Sequence, residues 1–243
     1  MNGYRFPASA RVLLLQVRKK KAVQAHEHGC VVTQLGADPA QVASHNVLFE
    51  KVPTVARASA FDLVILGGAA DHSVCNGDED GQDGGDDPVL PLLELAGGLF
   101  ERHRPYFGFC YGHQLLGRAF GGRVETVHPD EVGTWDVELT PKGVLDPVFA
   151  GLPRSFPAQL GHHDAITELP AGLVSLASSP RCRHQAVRVP DQPIYGTQFH
   201  PELTMDDMAK RLSDSPDYRL EKPLRPSPEA NEVLARFARA YLR

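Results

Sequence analysis

The sequence predicts an α/β protein with an open, mostly parallel, doubly wound sheet and flanking helices. Short apolar runs typical of buried strands alternate with helical or mixed segments. A cysteine between two glycines follows one of these runs, at the carboxyl end of a predicted strand, where open α/β sheets place their sites. The chain has 243 residues, 42% of them hydrophobic, so it can bury one ample core. We expect a single domain over residues 1–243.

The elements follow in chain order. In the first half, short apolar runs predict buried strands over residues 11–17, 31–35, 61–66 and 106–109. A helix is expected at 114–120, because Leu115, Leu116 and Ala119 recur at helical spacing. Later strands are predicted over residues 124–127, 135–139, 174–177, 185–189 and 194–199. The chain closes with a helix whose first turn contains Pro228.

Cys110 is the candidate nucleophile. Gly108 and Gly112 flank it two residues away on each side, as a sharp strand-to-helix turn requires, because such a turn leaves no room for β-carbons. At the start of a helix, the dipole and the unpaired N–H groups favour the thiolate, which is the form that attacks a carbonyl carbon. Considered alone, the motif is also compatible with an inert, buried cysteine.

His200 and Glu202 supply a candidate base and its partner. Residues i and i+2 of an extended segment project to the same side, so the two side chains can face one another across Pro201. The carboxylate would fix the imidazole tautomer that takes a proton from sulfur. An ordinary polar loop is the competing interpretation of this segment alone. With Cys110, the pair predicts a Cys-His-Glu triad.

Together these stretches resemble the class I glutamine amidotransferases, whose motifs are Gly-x-Cys-x-Gly-x-Gln and an aromatic residue before His-Pro-Glu. Two further stretches match in order. The apolar run 61–68 ends in paired glycines, and Gly-His-His-Asp at 161–164 is similar to a His-Gly-Asp segment of stand-alone members related to GMP synthetase amidotransferase domains. The resemblance covers roughly residues 10–205 and implies a flavodoxin-like class I amidotransferase architecture.

The resemblance also implies roles for residues around the triad. The backbone N–H groups of Gly68 and Tyr111 would form the oxyanion hole. Gln114 and Asp164 would help to bind the glutamyl group. His163 stands where the His-Gly-Asp members have glycine, so a bulkier side chain is expected beside the amine and carboxylate of the substrate.

The activity implied is the hydrolysis of a γ-glutamyl amide, glutamine to glutamate and ammonia, through a thioester on Cys110. No glycine-rich ATP loop and no acceptor domain is apparent, so a separate synthetase subunit is the expected user of the ammonia. Two alternatives stay open. One is a stand-alone γ-glutamyl peptide or conjugate hydrolase, and the other is a non-catalytic regulatory or binding module that keeps the fold.

Charge and composition exclude other classes. The formal net charge of −5 argues against nucleic acid or an anionic membrane as the main partner. The sequence has neither a run of roughly 20 apolar residues nor a signal-like N-terminus, so we expect a cytoplasmic protein without membrane contact. The basic run at 18–21 is expected to be a solvated loop or first helical turn.

No metal or other cofactor is expected. The four cysteines lack the short paired spacing of zinc sites or a disulfide framework. The acidic segment 76–87 places oxygen-bearing side chains as in a calcium loop, but it lacks the usual bidentate glutamate and the flanking helix. A solvated acidic loop is the simpler interpretation.

Overall fold

The computed structural model describes residues 5–69, 72–75, 88–214 and 218–242. The strands, β1 to β9 in chain order, are Val12–Val17, Val42–Asn46, Leu63–Ala69, Tyr106–Phe109, Arg123–Leu139, Ser155–Glu168, Val174–Ser178, Ala186–Arg188 and Ile194–Thr197. The helices, α1 to α8, are Lys21–Leu35, Val55–Ala58, Val89–Glu101, Tyr111–Ala119, Pro141–Val144, Met205–Ser213, Pro228–Asn231 and Val233–Tyr241. The acidic segment 76–87 lies outside the described residues.

All these strands form a single sheet in the order β2-β1-β3-β4-β9-β8-β7-β5-β6. The five neighbouring strands β2, β1, β3, β4 and β9 pair in parallel. Beyond β9 the sheet continues with β8, β7, β5 and β6, and each of these pairs antiparallel with its neighbours. The predicted α/β class, with its parallel central strands and flanking helices, is confirmed. The antiparallel extension beyond β9 is a feature that the apolar runs did not predict.

Helices cover both faces of the central parallel strands β1, β3, β4 and β9, which explains why their residues are buried without alternation. Leu14, Ile65 and Phe107 point to one face and pack with residues of α1 and α8. Their chain neighbours Val64 and Tyr106 point to the other face and pack with α3 and α4. An apolar layer therefore packs on each face of the parallel strands, and the ends of these strands are where polar side chains can form a site.

The strand predicted at 31–35 is wrong, because these residues form the last turns of α1. The β-branched residues there favour a strand locally, but Val31 and Leu35 are four apart and bury the same helical face in the core. Gly36, at φ 66°, ends the helix in the left-handed conformation. The edge strand is instead Val42–Asn46, and β6 was not predicted.

No described helix is long and apolar enough to cross a membrane.

Candidate active site

Cys110 lies between the last residue of β4 and the first residue of α4, with φ 51° and ψ −106°. A non-glycine residue with positive φ is strained, and such strain is typical of a nucleophile held on a sharp turn. A β-carbon on Gly108 would lie 2.3 Å from the carbonyl oxygen of Gly112, and one on Gly112 would lie 2.2 Å from that of Leu66. Both flanking glycines are therefore required by backbone atoms that cannot move aside.

The sheet brings His200 to Cys110 across ninety residues of sequence. Strand β9 lies parallel to β4, and the N–H of Cys110 donates to the carbonyl oxygen of Thr197 at 2.8 Å. The chain then continues from Thr197 to His200, whose own N–H donates to the carbonyl oxygen of Gln159 at 2.9 Å. His200 and Cys110 therefore line the same pocket, where Sγ of Cys110 lies 4.0 Å from the carbonyl oxygen of Gly161.

Glu202 holds the other side of the imidazole. Its Oε1 lies 2.8 Å from Nδ1 of His200, and the carboxylate is fully buried. Burial disfavours the imidazolium, but the charge of Glu202 and the hydrogen bond with Cys110 outweigh burial and raise the pKa of His200 to about 10. The structure thus brings the three predicted triad residues together, with Glu202 hydrogen-bonded to His200 and His200 on the same pocket as Cys110.

The two residues predicted to form the oxyanion hole lie next to Cys110. A β-carbon on Gly68 would lie 3.5 Å from Cβ of Cys110 and 3.2 Å from Cε1 of His200, so the glycine packs against both. Tyr111 is the first residue of α4 and directly follows Cys110. Their role as oxyanion donors stays a prediction, as do the catalytic roles of the triad.

Gln114 and Asp164 lie together at the start of α4 and on β6. The Gln114 amide donates to the backbone oxygen of Asp164 at 2.7 Å, and the Asp164 carboxylate accepts from Ser73 at 2.7 Å and Thr126 at 2.8 Å. Neither Gln114 nor Asp164 lines the pocket at Cys110. Their contact with a glutamyl group stays a prediction.

His163 contacts a residue that lines the pocket. Its Nδ1 lies 2.8 Å from the carboxylate of Asp130, and its ring stacks on Tyr218 with centroids 4.5 Å apart. Tyr218 lines the pocket, whereas His163 does not. His163, which was predicted to lie beside the substrate, thus contacts Tyr218 in the pocket wall and does not line the pocket itself.

The pocket contains two arginines that the sequence did not single out. Arg18 and Arg211 line it together with Cys110 and His200. The basic run at 18–21 was expected to be solvated, and residues 19–21 are exposed, but Arg18 is only 5% exposed. Its place directly after strand β1 was an available signal, because sites lie at the carboxyl ends of parallel strands. No comparable signal marks Arg211.

A buried carboxylate, Glu27, lies between these guanidinium groups. Its Oε1 is 2.6 Å from Arg18 Nη2 and 3.9 Å from Arg211 Nη1, and its Oε2 accepts from Gln16 at 3.0 Å. Burial opposes ionisation of Glu27, but the neighbouring Arg18 outweighs this and lowers the pKa of the carboxyl. Glu27 thus places a negative charge between the two arginines, and the charge of buried Glu202 also acts on both of them.

Two groups of side chains elsewhere bring possible metal ligands within 4.8 Å of one another. Neither group includes a triad residue, and each is joined by an internal ion pair, at 3.0 Å between His26 and Asp207 and at 3.2 Å between His162 and Glu131. The groups are His26, Cys30 and Asp207, and Glu131, His162 and Cys182.

Residues 64–215 match the family model described as "Glutamine amidotransferase class-I". The chain is 34% identical over 152 residues to one subunit of the glutamine-hydrolyzing GMP synthase of Methanopyrus kandleri, covering 62% of this chain and 71% of that protein. It is 36% identical over 111 residues to the GMP synthase (glutamine-hydrolyzing) of Thermosipho melanesiensis. That match covers 46% of this chain and only 21% of the relative, so the chain corresponds to about a fifth of that protein.

Solved structures with a similar fold cover most of the chain. The glutamine amidotransferase of Methylobacillus flagellatus gives a TM-score of 0.70 at 20% identity and covers 96% of both chains. The glutamine amidotransferase of Thermotoga maritima gives a TM-score of 0.65 at 19% identity, covering 85% of this chain and 83% of that one. At these identities the likeness shows the fold.

Proposed function

Because the chain belongs to the class I glutamine amidotransferase family, we propose that it hydrolyses a γ-glutamyl amide, glutamine in the first place, through a thioester on Cys110. The observation that carries the proposal is the strained turn at Cys110 beside the His200–Glu202 pair. A strained nucleophile against a base that is itself held by a carboxylate is the arrangement that acyl transfer needs.

In the first half-reaction His200 accepts the proton of Cys110 Sγ, and the thiolate attacks the carboxamide carbon. Because Glu202 occupies Nδ1 of the ring, Nε2 is the nitrogen that handles this proton. The N–H groups of Gly68 and Tyr111 stabilise the oxyanion. The intermediate collapses when His200 returns the proton to the departing nitrogen, which leaves as ammonia and leaves a glutamyl thioester behind.

In the second half-reaction His200 takes a proton from water, which attacks the thioester carbonyl. The new carbon–oxygen bond displaces Sγ, glutamate is released and Cys110 regains its proton. The raised pKa of His200 supports its role as the group that holds the transferred proton and donates it to the departing nitrogen.

For the ammonia we propose a separate synthetase chain. The support is that the chain is similar to a protein named as one subunit of a glutamine-hydrolyzing GMP synthase. A partner of this kind predicts a low glutaminase rate for the isolated chain and a higher rate when the synthetase is added.

A second candidate is a stand-alone γ-glutamyl peptide or conjugate hydrolase. The buried arginines of the pocket favour it, since charged groups suit a substrate larger and more anionic than glutamine. Such an enzyme would be fully active alone.

The test is an assay of ammonia, amine and glutamate release from glutamine and several γ-glutamyl amides. We expect Cys110→Ser to lose at least about 10³-fold in kcat, because nucleophile and base act as a unit. Cys75→Ser, at another buried cysteine, should keep the wild-type activity. Full turnover by Cys110→Ser would contradict the proposal.

A further inference from the structure

Two arginines that are far apart in the sequence both line the Cys110 pocket. Arg18 follows β1 and Arg211 lies in α6, and both line the pocket while remaining only 5% and 8% exposed. Burying a guanidinium group is costly unless its charge and its donors are matched. The single carboxylate of Glu27 cannot match both, because it is hydrogen-bonded to Arg18 and lies 3.9 Å from Arg211.

Arg211 is the less satisfied of the two. None of its three guanidinium nitrogens has a hydrogen-bond partner among the described residues. Burial, and then the nearby charge of Arg18, lower the pKa of Arg211, and the charges of Glu27 and Glu202 offset this only in part. An anion in the pocket would give these donors an acceptor and would balance the charge.

We propose that Arg18 and Arg211 form a carboxylate-binding subsite of the Cys110 pocket, and that the enzyme selects γ-glutamyl substrates by an anionic group held there. The inference rests on the proposed function for the identity of the anion, because a carboxylate is the anion that every γ-glutamyl amino acid carries. The fork of a guanidinium group fits a carboxylate with two parallel hydrogen bonds.

Two carboxylates could occupy this subsite. One is the α-carboxylate of the glutamyl group itself, and the other belongs to the amine half of a γ-glutamyl amino acid. The chemistry is the same in both cases, and substrates that carry or lack each carboxylate distinguish them.

The first experiment measures the subsite without turnover. Cys110 is alkylated with iodoacetate, which is an anion, and with neutral iodoacetamide, and the two rates are followed by peptide mapping. The ratio of the rates cancels any change in the thiolate fraction, because both reagents attack the same sulfur. We expect Arg211→Gln to lower the iodoacetate-to-iodoacetamide ratio about tenfold or more, as the loss of a charged hydrogen bond implies.

Three variants make the alkylation result decisive. Arg211→Lys keeps the charge and should keep most of the ratio, whereas Arg154→Gln, at an exposed arginine paired with Glu138, should leave it unchanged. Arg211→Met preserves the unbranched stem and replaces Arg211→Gln if that variant does not fold. A ratio that stays at the wild-type value in the folded Gln or Met variant overturns the subsite.

The second experiment compares kcat/KM for glutamine, γ-glutamylglycine and γ-glutamyl methylamide in wild type and Arg211→Gln. A loss confined to γ-glutamylglycine supports a carboxylate on the amine half, and an equal loss on all three supports the α-carboxylate. No loss on any substrate overturns the proposal. A wild type that turns over none of them, with an alkylation ratio that still depends on Arg211, overturns the proposed function and supports the anion subsite.

Discussion

Glu202 is fully buried, and its carboxylate contacts Nδ1 of His200, the proposed base. The carboxylate stabilises the imidazolium and leaves Nε2 as the nitrogen that handles the proton in the proposed mechanism. An amide in its place would remove the charge and could donate to Nδ1, which selects the wrong tautomer. The role of Glu202 can therefore be separated from simple packing by the pH at which the base titrates.

We predict that Glu202→Gln lowers kcat by a factor on the order of 10² to 10⁴ and moves the alkaline limit of activity to lower pH. The sign follows from the cause: His200 has a raised pKa of about 10 because of Glu202, so removing that charge brings its pKa down. The measurement is the pH profile of kcat/KM and of Cys110 alkylation. Glu221→Gln, at a partly exposed surface carboxylate, is the control. An unchanged alkaline limb would show that Glu202 does not act through His200.

At the scale of the elements, the strand–turn–helix unit from β4 to α4 holds Cys110, the proposed nucleophile. Its glycines are set by backbone oxygens of the same unit and of β3, which neither rotate nor withdraw as side chains do. Gly29, in the middle of α1, is the opposite case, because a β-carbon there would meet no atom within 4 Å.

We expect Gly112→Ala to destabilise the fold by about 2 kcal/mol or more, because a new β-carbon would lie 2.2 Å from the Leu66 oxygen. Gly29→Ala should be neutral or stabilising by about 0.5–1 kcal/mol, since it removes glycine from a helix interior. Urea unfolding of both variants gives the two free energies of unfolding. Equal effects of the two substitutions would contradict the steric account of the turn.

The same unit shows what the sequence could predict. Gly108, Cys110 and Gly112 lie within five residues, so their geometry is local and their spacing predicted the turn. The strand predicted at 31–35 was wrong because burial of Val31 and Leu35, at helical spacing, outweighs the local preference of β-branched residues for a strand. Arg211 could not be predicted, because its burial depends on α6 docking beside a strand end about two hundred residues earlier in the chain.

At the scale of the whole molecule, the pairing of β4 with β9 brings Cys110 and His200 to one pocket. The same packing also buries titratable side chains that would be hydrated in the unfolded chain. His113 is one of these groups, in α4 three residues after Cys110 and without solvent exposure. A β-carbon on Gly196 of β9 would lie 2.9 Å from its Nδ1, so the ring fills the space between helix and strand. Burial lowers the pKa of His113 to about 3.

This burial predicts that the fold loses stability as the pH falls below the ordinary histidine pKa. Between about pH 6.5 and pH 3 the unfolded chain binds a proton at His113 that the folded chain excludes, so acid favours unfolding. A pKa that differs by one between the folded and unfolded chain corresponds to about 1.4 kcal/mol of stability, which makes this single ring a large contributor to acid sensitivity.

We predict that His113→Asn, which keeps a polar side chain but cannot titrate, removes about one proton from the pH dependence of the unfolding free energy in this window. The measurement is urea unfolding of wild type and variant at several pH values from about 4 to 7. His128→Asn, at a ring that is 79% exposed, is the matched control and should leave the slope as in wild type. If His113→Asn retained the full wild-type slope, the acid sensitivity would have to come from other buried groups, with His184 the next to test because burial also lowers its pKa.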